Sequence, residues 1–138
     1  AYGVFMRKHP FTHHPKSKWL NYRTGIRDVY FRLEVDQKIA RICIDIQHND
    51  REIRELYFEQ FTELRTVLHD AVGVEMDWLP VYRLASTGKE ISRISIERAG
   101  LNIYNRNDWG PLFLFFEEYF VPLDEFWSDF KGVFDALE

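Results

Sequence analysis

Two runs of alternating character constrain this chain more than any other feature. In "RDVYFRLEVD", Val29, Phe31, Leu33 and Val35 alternate with Asp28, Tyr30, Arg32 and Glu34. In "KIARICIDIQ", Ala40, Ile42, Ile44 and Ile46 alternate with Arg41, Cys43, Asp45 and Gln47. A period of two belongs to a strand with one buried face, because successive side chains point to opposite sides of a sheet. Closing the pair as a hairpin at Asp36-Gln37, although the usual glycine is absent, sets Val29 opposite Ile44 and Phe31 opposite Ile42. The same register sets Asp28 opposite Asp45, and Arg32 opposite Arg41, on the second face.

The rest of the chain fits around this hairpin. Ala1, Val4 and Phe5 have helical spacing, Pro10 and Pro15 bracket a loop, Trp19 to Tyr22 reads as a short strand, and Thr24-Gly25 as a turn. A helix is expected from about Asp50, with Asn49 as cap, Glu52 completing a capping box and Gly73 as terminator. Its stripe is Ile53, Leu56, Tyr57, Phe61, Leu64, Val67, Leu68 and Ala71. A strand over Trp78 to Leu84 and a turn at Ser86-Thr87-Gly88 lead to "ISRISIER" (91–98), which echoes "IARICIDI" (39–46). A last helix runs from Asp108 to Val121, is broken or kinked at Pro122, and resumes with Leu123, Phe126, Trp127, Phe130, Val133, Phe134 and Leu137 on one stripe.

This order predicts one α+β domain over residues 1–138, its N-terminal helix open to truncation at Ala1. The expected architecture is a curved antiparallel sheet of two hairpins, with the helices packed on one face. The echo suggests a hairpin–helix repeat; duplication and chance likeness between two strands both fit it.

Composition narrows the classes. With 138 residues, 46% apolar and 17% aromatic, the chain can bury a real core. A net charge of −4 and a pI near 5.7 argue against direct nucleic-acid binding. The basic stretch 7–27 (Arg7, Lys8, Lys16, Lys18, Arg23, Arg27) reads as a solvated loop. Cys43 is the sole cysteine, so no internal disulfide forms and a reducing, cytoplasmic setting is expected. The longest apolar run, Leu112 to Phe116, is far short of a membrane span. No signal-peptide pattern is visible, and the start at Ala1 leaves a removed leader open.

Helices on one side leave the other side of the sheet to water, a ligand or a partner. The expected surface comprises Tyr30, Arg32, Arg41, Trp78, Tyr82 and Arg93, together with Asp28, Cys43, Asp45, Ser95 and Glu97. Aromatic and arginine side chains together are typical of contact surfaces; a solvated face with cross-strand ion pairs is the plain alternative. "LFLFFEEYFV" (112–121) is apolar almost all round. This predicts a homodimer through the C-terminal helices or the open face, or cover by the N-terminal helix.

Chemical sites are weaker. A nuclease-like centre would use Asp28 and Asp45 as metal ligands, with Gln47 in place of the usual lysine. The missing lysine and the acidic balance count against it. His9, His13, His14, His48 and His69 lack metal-site spacing, Cys43 lacks an activating base, and no phosphate-binding or nucleophile motif occurs. No metal or cofactor is expected. Asn102, Asn105, Asn107 and Asp108 suit turns and caps.

The strings "WLNYRTGIRDVYFRLEVD", "ELYFEQFTELRTVLHD", "SRISIE", "IYNRNDWGPL" and "PLDEFWSDFK" together resemble a bacterial family of small proteins described only as a domain of unknown function, of the DUF4268 type. The likeness runs from about Trp19 to Lys131. In the family a proline directly follows the tryptophan matching Trp109; here Gly110 intervenes, which touches only the local helix start. A related module is fused behind nuclease-like domains in larger bacterial proteins, so the resemblance implies a role accompanying DNA processing or defence. It carries no established active-site residues. The resulting expectation is a non-catalytic, homodimeric protein-interaction module. A divergent metal-dependent nuclease-like domain and a small-ligand binder on the open face are the alternatives.

Overall fold

The computed structural model describes residues 17–137; the expected N-terminal helix and His9, His13 and His14 lie outside them. Five strands, β1 (Ser17–Arg23), β2 (Val29–Asp36), β3 (Ile39–Ile46), β4 (Asp77–Arg83) and β5 (Glu90–Ala99), form one open antiparallel sheet in the order β1-β2-β3-β5-β4. Helices α1 (Arg51–Glu63) and α2 (Arg65–Val72) follow β3, and the long α3 (Trp109–Asp135) follows β5. The α+β class and the one-sided helical layer agree with the sequence.

The first hairpin forms with a different register. Val29 pairs with Ile46, Phe31 with Ile44, Tyr30 with Asp45, Arg32 with Cys43 and Glu34 with Arg41. The turn residues are Gln37 and Lys38 rather than Asp36 and Gln37, and the reason is chemical. The Asp36 carboxylate accepts the backbone N–H groups of Lys38 (2.7 Å) and Ile39 (2.8 Å), so it closes the turn without a glycine. The displacement is two residues, so every side chain keeps its expected face.

The apolar face of β2, β3 and β5 meets the helices. Phe31 makes edge contacts with Phe120 (6.0 Å) and Trp127 (5.7 Å), and Phe61 stacks on Trp127 and meets Phe134 at a tilt (4.3 Å). The Trp127 indole also donates to the carbonyl of Thr24 (2.7 Å), which ties α3 to the β1–β2 turn. Burying aromatic surface of this size is the dominant stabilising contribution.

Three helical expectations change. Asp50, not Asn49, caps α1, accepting from the Glu52 N–H at 2.9 Å. The single expected helix is divided at Leu64 (φ −95°, ψ 10°), which lets α2 turn, so Leu68 and Val72 are buried while Leu56 and Val67 face outward. Gly73 (φ 82°) terminates it as expected. Pro122 does not divide α3, because Leu123, Phe126 and Trp127 continue the buried stripe set by Phe115, Phe116 and Tyr119. Among the described residues no helix is long and apolar enough to cross a membrane.

The echoing strands turn out to be neighbours. β3 and β5 pair antiparallel with Cys43 opposite Ser95, the two positions the echo equates. A local two-fold axis of the ladder therefore passes between them. It relates the Asp45–Arg93 pair to the Glu97–Arg41 pair.

A paired-charge candidate site on the polar face of the sheet

The side of the sheet away from the helices is not a simple solvated surface. Its centre is buried: Arg93 and Arg32 are 1% and 4% exposed, and Asp45 and Cys43 are fully enclosed. The registers explain why. Asp45 on β3 faces Arg93 on β5, and Glu34 on β2 reaches the same guanidinium.

Arg93 donates from Nε to Asp45 Oδ1 (2.8 Å) and from Nη2 to Asp45 Oδ2 (2.9 Å). It also donates to both oxygens of Glu34 at 3.0 Å. Glu34 takes a further bond from Arg32 Nε at 2.7 Å. Arg41 binds Glu97 through Nε at 2.6 Å and lies 3.6 Å from Glu34. Two aromatic rings cover the cluster: Trp19 lies against the Arg32 guanidinium (4.1 Å to the ring centre) and Tyr82 against Arg93 (4.3 Å).

The electrostatics follow from this packing. Burial raises the Glu34 carboxyl, but the charges and hydrogen bonds of Arg93 and Arg32 outweigh it and hold the group below its usual range. Burial lifts Asp45 above its usual range, with Arg93 opposing. Arg93 itself is held more firmly protonated, its bonds to Asp45 outweighing burial. Burial also pushes the Cys43 thiol well up, which leaves it unreactive. The face is thus a preassembled, mutually neutralised set of charges.

The expected site residues separate. Arg32, Arg41, Tyr82 and Arg93 come together. Tyr30 is half-buried beside Asp45 in the ladder. Trp78 does not join them: it pairs with Ile94, lies on the helical side, and meets Phe58 edge-on at 5.9 Å. Asp28 stands in a turn at φ 63°, and its carbonyl accepts the Gln47 N–H at 2.7 Å. It therefore faces Gln47 rather than Asp45. The Gln47 Nε2 and Asn21 Oδ1 atoms are buried with no hydrogen-bond partner among the described residues. Asp45 has both oxygens committed to Arg93, and no group of three or more acidic, His or Cys side chains among the described residues is arranged to hold a metal ion.

Glu34 and Trp19 are central, yet the sequence reading leaves them out. Glu34 alternates in phase with Arg32, so the pattern already places it on this face. Trp19 needed the β1 register, in which it pairs with Glu34.

This fold and this charge cluster define an open-sheet α+β domain with a built polar face. The pattern of the family described as "Domain of unknown function (DUF4268)" matches residues 3–131, and the chain belongs to that family. Comparison with curated proteins and with solved structures finds no match.

Proposed function

We propose that this protein is a non-catalytic interaction module that recognises a protein partner through the polar face of its sheet. The observation that supports this reading is the Arg93–Glu34–Asp45 cluster under Trp19 and Tyr82. Its acids are all committed to arginines. Such a set offers no free base or nucleophile, but it holds aromatic and guanidinium groups rigidly, as binding anchors require. We assign a second copy of the chain to the outer face of α3. In line with the family resemblance, the partner on the sheet would be another protein of DNA processing or defence.

The test uses a photoreactive residue in cells that make the full-length protein. It is placed at Ser86, on the rim of the cluster, or at Glu59, exposed on α1 in the helical layer on the other side of the sheet. An adduct of one defined mass from Ser86 alone, abolished by Arg41→Glu in a folded protein, is the expected result. Equal labelling from both positions, or indifference to Arg41→Glu, would overturn the reading.

A further inference from the structure

A small cavity opens beside the cluster. It has a volume of about 130 Å³, and its lining includes Trp19, Tyr82, Lys18, Arg32 and Arg41 together with the acids Glu34 and Asp36. We propose that it is a subsite for a single carboxylate group carried by the partner. This rests on the interaction reading above and gives that surface its chemical preference.

Arg32 carries the argument. Its side chain is 4% exposed, and its plane is fixed against Trp19. Only Nε is used, on Glu34; Nη1 and Nη2 have no hydrogen-bond partner among the described residues, and the residue lines the cavity. Neither terminal nitrogen is among the buried polar atoms without a partner, so both are reached by solvent at the cavity, where a carboxylate can replace that water. A planar fork of two N–H donors matches a carboxylate in bidentate geometry. Arg41 stands on the same cavity with its Nε on Glu97 and its Nη1 in an ion pair with Glu34 at 3.6 Å, so it adds positive charge to the site and Nη2 as a second donor.

Size and donor geometry set the class. The charges lining the cavity and their bonded partners cancel, Lys18, Arg32, Arg41 and Arg93 against Glu34, Asp36, Asp45 and Glu97. Glu34 is already saturated by Arg93 and Arg32. A small singly charged group disturbs that balance less than a phosphate dianion does. The volume is well below the roughly 300 Å³ at which whole drug-sized ligands are accommodated, so the cavity takes one functional group. The aromatic walls at Trp19 and Tyr82 exclude water around it and strengthen each charged hydrogen bond.

The experiment is an NMR titration of the full chain at constant ionic strength, following the Arg32 Nε–H and Trp19 indole signals. The probes are N-acetyl-isoglutamine for an acidic side chain, N-acetylalanine for a chain terminus, and inorganic phosphate. Saturable shifts at both signals with a carboxylate probe are expected in the native chain, and in Arg32→Gln, followed at the Trp19 indole alone, the affinity falls at least about tenfold. Arg41→Gln, at a more exposed position, weakens them less and guards against misfolding of the first variant. The tighter of the two carboxylate probes identifies the source. Shifts that rise linearly, that survive Arg32→Gln, or that favour phosphate overturn the subsite. If the Ser86 adduct persists in that case, the interaction reading stands and the carboxylate assignment alone falls.

Discussion

At the scale of single residues, Arg93 is the element on which the polar face depends. Removing one partner of a buried pair leaves an uncompensated charge, which costs about 3–5 kcal/mol. Arg93→Met should therefore destabilise the protein by that amount in urea unfolding, and Arg93→Met with Asp45→Leu should recover a substantial part. Additive losses would show that the pair is not coupled. The pH dependence follows from Glu34, whose carboxyl is held below its usual value of about 4.3. A depressed folded pKa means that the unfolded chain binds the proton first. Its contribution is present above about pH 4.3 and is lost as pH falls through the lower folded value. Asp45, lifted by burial, acts in the opposite sense, so the Glu34 component is isolated by difference. Thermal unfolding of Glu34→Gln should fall less steeply than that of the native protein below about pH 4.5.

At the scale of elements, what could be read from the sequence depended on whether one interaction or several decided the outcome. Alternation in 29–35 and 40–46 settled the faces, because burial of one side enforces a period of two. It could not settle the register, which the Asp36 side chain decides through two backbone bonds. The paired-charge site was legible as a set of residue types on one face. Its burial was not, since that requires Trp19 and Tyr82 to close over arginines from other strands. Trp78 was misplaced because β4 carries a register irregularity between Leu79 and Tyr82, which sends the two aromatic residues to opposite sides. The cap is a similar local matter. Asp50→Ala should cost about 1 kcal/mol in urea unfolding, and Asn49→Ala should leave no capping loss. The reverse order would return the cap to Asn49.

At the scale of the whole molecule, the outer face of α3 is where a second copy is expected. Leu114 is 64% and Val121 49% exposed, about two helical turns apart on the side turned away from the core. Exposed Glu117 and Glu118 lie between them, so the surface pairs apolar anchors with a charged rim, as association surfaces commonly do. Sedimentation should give twice the chain mass for the native protein, and Leu114→Glu should return it to the single-chain mass. One chain mass for both would remove the dimer and leave the partner reading on the sheet intact.

The local two-fold axis between Cys43 and Ser95 makes β3 nearly complementary to itself. A fragment that ends at Gly73 lacks β5, and its exposed β3 can bind the β3 of another copy in the same register. Arg41 of each copy then lies opposite Asp45 of the other, and the two Cys43 residues face each other. Facing Cα atoms in an antiparallel ladder are about 4.5–5.5 Å apart, within disulfide reach. Under oxidation the fragment should become a covalent dimer through Cys43, whereas the full chain keeps that thiol enclosed. The centre of this sheet is thus also a seam along which two truncated chains could exchange strands.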